Sequence, residues 1–514
     1  MKNTIKFMIG LLAIGLVSCE PEFENAVTDE GFYDAGDADF SNYVALGNSL
    51  TAGYADSALF VSGQEDSYPN IMAEQFGFVG GGDFTQPLTS DDLGGLLYGG
   101  VQITGNRLVL SADENGNPFP APLDGTPTTD VTTSATGPFN NMGVPGAKSF
   151  HLVTPGYGSV AGVANGSANP WFARFATSES TTVLADAVSL NPTFFSLWIG
   201  NNDILGYATS GGSGVDQTGN FDPSTYGGND ITDPNVFAAA YSAQVDALVA
   251  GGAKGVLLNI PDVTSIPYFT TVPTRSIPLD AATAGAVNAQ FALYNGALGQ
   301  LVAGGFISAE EAAIRAINFV EGVNYPIMTD VDLTDVTAIL IGAGLDPQTA
   351  ALLGQLRQVK SDDLVVLTAS SALGTVPDPS NPTGVVGVSI PLTNQYVLTT
   401  TEQARVATAG ASYNAIIEGL AAANELGYGD MKSALADVAA NGAFYNGGVL
   451  TSTYVTGGAF SLDGVHPSPR GYAFTANTII DVINTTYNAS IPKVDIGTYG
   501  TVTLHNNSVA FSTV

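Results

Sequence analysis

Tyr43-Val44-Ala45-Leu46-Gly47-Asn48-Ser49-Leu50 begins as an apolar run and breaks at a glycine. A short, unbroken apolar run suits a strand buried on both faces, the usual state of a parallel sheet. The break predicts a helix starting near Ser49. In α/β folds a strand-to-helix turn at the carboxyl edge of the sheet is where reactive groups stand. Backbone N–H groups at a helix start also favour negative charge that develops nearby.

The same alternation continues downstream. Residues 184–190 read as a helix end, and 193–199 as a strand feeding Gly200-Asn201-Asn202-Asp203. Residues 236–250 read as a helix, 255–259 as a strand, and Ile260-Pro261-Asp262-Val263 as the loop after it. Strand and helix in alternation predict a parallel sheet covered on both faces. Residues 281–304, 402–426 and 472–488 read as further helices, and 501–511 as a terminal strand. Residues 77–138 and 206–228 read as long loops. Between the helices at 281 and 402 lie about a hundred residues, more than a crossover needs. They include helical patterns at 334–341 and 347–358 and predict an inserted helical cap over residues 305–400, either structural bulk or a substrate-shaping lid. There is no internal repeat and no nucleotide loop; Gly80-Gly81-Gly82 lacks a phosphate-binding context.

The 514 residues carry 14 basic and 47 acidic side chains, a net charge of −33. Such a surface repels phosphate backbones and anionic headgroups, so nucleic acid is excluded as a partner. With 12% charged residues and many hydroxyls, the composition fits a secreted protein. A 45% apolar content leaves ample material for one large core.

The N-terminus reads as a processing segment. Lys2 and Lys6 precede an apolar stretch at residues 7–17, too short to span a bilayer. It ends Leu16-Val17-Ser18-Cys19, which resembles a bacterial lipobox. The resemblance implies cleavage before Cys19 and lipidation of its thiol, anchoring the protein to the bacterial cell envelope, at the outer membrane. Cys19 is the single cysteine, so no intrachain disulfide forms. The acidic residues after it also resemble the export signal of some surface lipoproteins. The expected division is a signal peptide over 1–18, an acidic flexible tether over 19–40, and one domain over 41–514.

Three further stretches bear on chemistry: Asn141-Met142-Gly143-Val144-Pro145-Gly146-Ala147, the Gly200–Asp203 turn, and Asp463-Gly464-Val465-His466. A serine nucleophile needs a base, and histidine suits the task. Of His151, His466 and His505, only His466 has Asp three residues before it. One short turn brings that carboxylate to Nδ1–H and leaves Nε2 for a serine. An oxyanion needs donors already in place. The backbone N–H groups of Ser49 and Gly146 and the Asn202 amide are candidates, although Gly146 and Asn202 also read as turn formers. His151 reads as a loop histidine or a pocket liner, and His505 as solvated. No HExxH occurs, three histidines form no spaced cluster, and no EF-hand pattern appears, so neither metal nor cofactor is expected.

The four stretches, in this order, resemble the SGNH hydrolases, also called GDSL esterases and lipases, over residues 43–473. The resemblance implies a three-layer α/β/α, flavodoxin-like fold with a parallel central sheet and long loop and helical insertions. It implies Ser49 as nucleophile, Asp463 and His466 as the rest of the triad, and Ser49, Gly146 and Asn202 as the oxyanion hole. The implied reaction is carboxylic ester hydrolysis on a small-molecule, lipid or glycan ester. Alternatives are a carbohydrate acetylesterase of the same family and a non-catalytic surface lipoprotein that binds glycan or lipid. The sequence departs from the family at Asn48, where Asp is usual, which bears on how the nucleophile turn is held.

Overall fold

The computed structural model describes residues 32–505, so the expected signal peptide and Cys19 lie outside the described residues. Five strands make the central sheet: β1 (Tyr43–Gly47), β2 (Asn141–Gly143), β3 (Phe194–Trp198), β4 (Lys254–Leu258) and β5 (Gly427–Gly429). All pair in parallel, in the order β5-β4-β3-β1-β2. The chain therefore winds outward in both directions from the β1/β3 pair. That is the topological switch point, where open α/β sheets leave a crevice beyond their carboxyl ends.

Helices cover both faces. Val44, Leu46, Phe195, Leu197 and Leu257 point to one side, against α3 (Val183–Ser189), α5 (Pro234–Val249) and α7 (Thr400–Ala423). Tyr43, Ala45, Phe194, Trp198, Val256 and Leu258 point to the other, against α2 (Tyr68–Phe76) and α9 (Pro469–Tyr487). Alternate residues of each strand thus enter two cores, which is why β1 and β3 read as unbroken apolar runs. On α9, Tyr472, Ala476, Ile479, Ile480, Ile483 and Tyr487 recur at helical spacing and are all buried. The one buried hydroxyl of β3, Ser196 Oγ, meets Tyr43 Oη at 2.7 Å, so no polar atom is stranded there.

Several elements depart from the sequence reading. The cap begins earlier than residue 305. Helix α6 (Ala281–Ala303) buries Phe291, Tyr294 and Leu298 with Ile317, Ile327, Leu340 and Leu356 in a core of its own. Residues 356–358 are a strand paired with Ile327–Thr329, not a helix end. Arg357 is buried there between Asp330 (2.5 Å) and Asp363 (2.6 Å). A buried guanidinium is tolerated because both neighbours are carboxylates. The expected loop at 77–138 carries a hairpin, Leu108–Ala112 with Pro118–Pro122, and a small three-stranded sheet. The helix after β3, α4 (Asn202–Thr209), takes the first residues of the expected 206–228 loop. Residues 501–505 make one bridge, Leu504 to Leu110, rather than a strand, and 506–511 lie outside the described residues.

The tether also needs correction at its inner end. Phe40 is 1% exposed and stacks on Phe76. Asp37 N–H donates to Tyr487 O at 2.7 Å, and Asp34 N–H to Ser490 Oγ at 2.8 Å. Residues 34–40 are therefore docked on the end of α9 and belong to the domain. Apolar Phe40 and Ala38, set among acidic residues, hold them there.

Candidate active site

β1 delivers the chain to Asn48, and helix α1 (Ser49–Ala52) starts at once. Asn48 is 1% exposed and does two jobs. Its Oδ1 accepts from Leu50 N–H at 3.0 Å, capping the helix, and its Nδ2 donates to Asn201 Oδ1 at 3.1 Å. A carboxylate at this position caps equally well but has no N–H for Asn201. Asn48 thus ties the turn that carries Ser49 to the loop after β3. Gly143 on β2 lets α1 lie close: a Cβ there would stand 2.3 Å from Ala52 N.

The expected acid and base, Asp463 and His466, come from a turn just before α9. Ser461 N–H donates to His466 O at 2.8 Å and closes it, while Ser468 Oγ caps α9. His466 Nδ1 lies 2.8 Å from Asp463 Oδ2, and His466 Nε2 lies 2.9 Å from Ser49 Oγ. A carboxylate only accepts, so Nδ1 carries the proton and Nε2 is free to accept from the serine. Asp463 takes four more donors. Val465 N–H (2.8 Å), His466 N–H (2.9 Å) and Ser461 Oγ (3.0 Å) reach Oδ1, and Ser57 N–H (3.0 Å) reaches Oδ2. Burial pushes this carboxyl up, but His466 and the N–H donors outweigh it and hold it down at about 2.

Of the expected oxyanion donors, Ser49 and Asn202 line one cleft, and Gly146 is not among its lining residues. Gly146 has φ +79°, a left-handed conformation that glycine adopts without strain. Among the described residues, neither the Ser49 nor the Gly146 N–H donates to a protein acceptor. Asn202, at the start of α4, gives one amide hydrogen to Ala147 O at 2.9 Å and keeps the other. Asp203, quoted above only as part of its turn, is fully buried behind them. It accepts from Ser149 N–H (2.8 Å) and Ser149 Oγ (2.7 Å). The loops that carry Gly146 and Asn202 are thereby fixed to each other. Burial raises the Asp203 carboxyl, and the Ser149 bonds and Lys148 oppose that.

The other two histidines stand apart from the triad. His151 Nδ1 accepts from Lys148 N–H at 3.0 Å, and its ring stacks on Tyr157 at 4.4 Å. Burial pushes its pKa down to about 4, so it is a satisfied, neutral loop histidine. His505 is half-buried rather than solvated; its N–H donates to Leu110 O, and its ring lies 3.8 Å from Asp124.

A cleft opens beside Ser49 and His466. Its walls are mostly apolar, Leu205, Ile266, Met431, Val438, Phe460 and Phe474 among them, with Asn201, Asn202 and Thr475 the polar exceptions beside Asn48, Ser49 and His466. Met431 and Val438 lie on α8 (Met431–Asn441), which the sequence reading passed over. Its signal was present in Asp430, whose Oδ1 caps the helix at Ser433 N–H, 3.0 Å away. No residue of the cap between 281 and 400 lines the cleft, which favours structural bulk over a lid. No protein-family model, curated protein or solved structure matches this chain.

Proposed function

We propose that the protein is a serine hydrolase of the SGNH type that cleaves carboxylic esters of apolar acids. The observation that carries this is the unbroken relay from Asp463 through His466 to Ser49, at 2.8 and 2.9 Å. In this scheme Ser49 Oγ attacks the acyl carbon while His466 Nε2 takes its proton. The oxyanion forms against the Ser49 and Gly146 N–H groups and the Asn202 amide. Collapse breaks the ester C–O bond, and His466 returns the proton to the leaving alcohol. Water, deprotonated by His466, then releases the acid from Ser49. The lipobox-like ending at Cys19 carries the companion proposal of an envelope lipoprotein.

The apolar lining of the cleft supports one of the two enzymatic readings over the other. Its walls offer an acyl chain apolar surface and offer a sugar few hydrogen-bonding groups, which favours an esterase over a carbohydrate acetylesterase. Each buried methylene stabilises by up to about 0.8 kcal/mol. A quarter of that, over the six methylenes from acetyl to octanoyl, gives roughly tenfold. On p-nitrophenyl esters, kcat/KM should rise at least that much from acetyl to octanoyl. A flat or falling series, with acetylated xylan turned over faster, replaces this reading with the acetylesterase.

Asn202→Ala tests the oxyanion hole. It should lower kcat by about 10²-fold or more with KM little changed, the cost of losing one donor made strong only in the transition state. A raised KM at constant kcat makes Asn202 a ground-state binding residue instead.

A further inference from the structure

Just beyond α1 the chain makes a two-residue turn, Ala55-Asp56-Ser57-Ala58. Ala55 and Ala58 close it by exchanging N–H···O bonds at 3.0 and 2.9 Å. Both central residues are left-handed, with φ +51° at Asp56 and +63° at Ser57. Turns with two such residues favour Asn-Gly, because a Cβ is strained at positive φ. Asp-Ser is a poor choice for the turn by itself.

The turn faces the triad acid, and its polar groups are spent there. Ser57 N–H donates to Asp463 Oδ2 at 3.0 Å, the oxygen that also accepts from His466 Nδ1. Asp56 N–H donates to Ser461 Oγ at 3.0 Å, and that hydroxyl donates to Asp463 Oδ1 at 3.0 Å. The Asp56 carboxylate accepts from Leu462 N–H at 2.9 Å, the peptide just before Asp463. Tyr54, one residue upstream of the turn, lays its ring against His466 at 4.8 Å and donates its hydroxyl to Ser57 O. Asp56 is only 4% exposed, and burial pushes its carboxyl up to about 6. Among the described residues Leu462 N–H is the one hydrogen-bond donor to this carboxylate, and Arg107 only partly offsets the burial; such an acid is costly, and the reaction scheme makes no use of it. Strained backbone and a buried acid meeting at one place point to a role in the site.

We infer that Asp56 is a positioning residue: its carboxylate grips the Leu462 N–H and so sets Asp463 beneath His466. The segment that carries the nucleophile thereby carries its own clamp on the triad acid. This rests on the hydrolase reading above.

Asp56→Ala and Asp56→Asn separate the grip from general packing, since Asn keeps an oxygen for Leu462 N–H. On p-nitrophenyl octanoate, Asp56→Ala should lose about tenfold to a hundredfold in kcat with KM within about twofold, as a slightly displaced catalytic group does. Asp56→Asn should restore kcat to within about threefold of wild type. Labelling by a fluorophosphonate should slow in Asp56→Ala and recover in Asp56→Asn. If Asp56→Ala fails to fold, Asp56→Ser, whose shorter side chain does not reach Leu462 N–H, carries the test with the same kcat loss at constant KM. A folded Asp56→Ala at wild-type kcat overturns the inference, as does an Asp56→Asn no better than Asp56→Ala, or, in its stead, an Asp56→Ser at wild-type kcat. A wild-type protein that no fluorophosphonate labels overturns the hydrolase reading itself.

Discussion

Ser49→Ala should reduce ester hydrolysis to background and abolish labelling by a fluorophosphonate, while the thermal midpoint stays within about 2 °C of wild type. The loss is expected to be on the order of 10⁴-fold or more, because removing the nucleophile leaves only the oxyanion hole and substrate binding. Stability should hold for a local reason. The Ser49 hydroxyl meets His466 and caps nothing; the cap of α1 is the Asn48 side chain. Alanine is also the better helix former. A folded Ser49→Ala that still turns over p-nitrophenyl octanoate at the wild-type rate removes Ser49 from the mechanism.

What could be read from the sequence follows from how far apart the cooperating residues lie. β1, β3 and β4 were legible because strands buried on both faces write their burial as continuous apolar runs. β2 is Asn-Met-Gly and β5 is Gly-Tyr-Gly. Their Asn and Gly residues disfavour strands, and each exists because a neighbouring strand supplies its hydrogen bonds, a tertiary effect that no local pattern carries. Asp463 and His466 were legible because they sit on one turn. Asp203 was quoted but its role was not, since its partner Ser149 lies 54 residues away. Asp56 and Ser57 were missed for two reasons. The turn lacks the Asn-Gly signature, and the contact from Ser57 to Asp463 spans 406 residues. The start of the cap was misjudged because α6 shows the same Ala and Leu spacing as a core helix, although its buried face meets the cap.

Asp463→Asn and Asn48→Asp should behave in opposite ways, although each exchanges an acid and its amide. In the wild type every hydrogen bond that Asp463 makes is one it accepts, five in all, at both oxygens. An amide cannot match this. Its NH₂ group must face either the Ser461, Val465 and His466 donors at Oδ1 or the Ser57 and His466 donors at Oδ2. Placed at Oδ2, it turns His466 to the tautomer with its proton on Nε2, which cannot accept from Ser49. A wrong tautomer costs on the order of 10⁴ in kcat. The effect should not depend on assay pH between about 7 and 9. The folded Asp463 carboxyl is held at about 2, below its ordinary 3.8, so it stays ionised throughout that range. Its contribution to stability is full above the ordinary value and fades only as pH falls through about 2. Asn48→Asp keeps the cap on Leu50 N–H, and Asn201 can turn its own amide to donate in place of the lost N–H. That variant touches no proton in the transfer path and should stay within about tenfold of wild type. A nearly normal Asp463→Asn beside an inactive Asn48→Asp would mean that another carboxylate supports His466, with Asp56, already beside the same turn, the first to test.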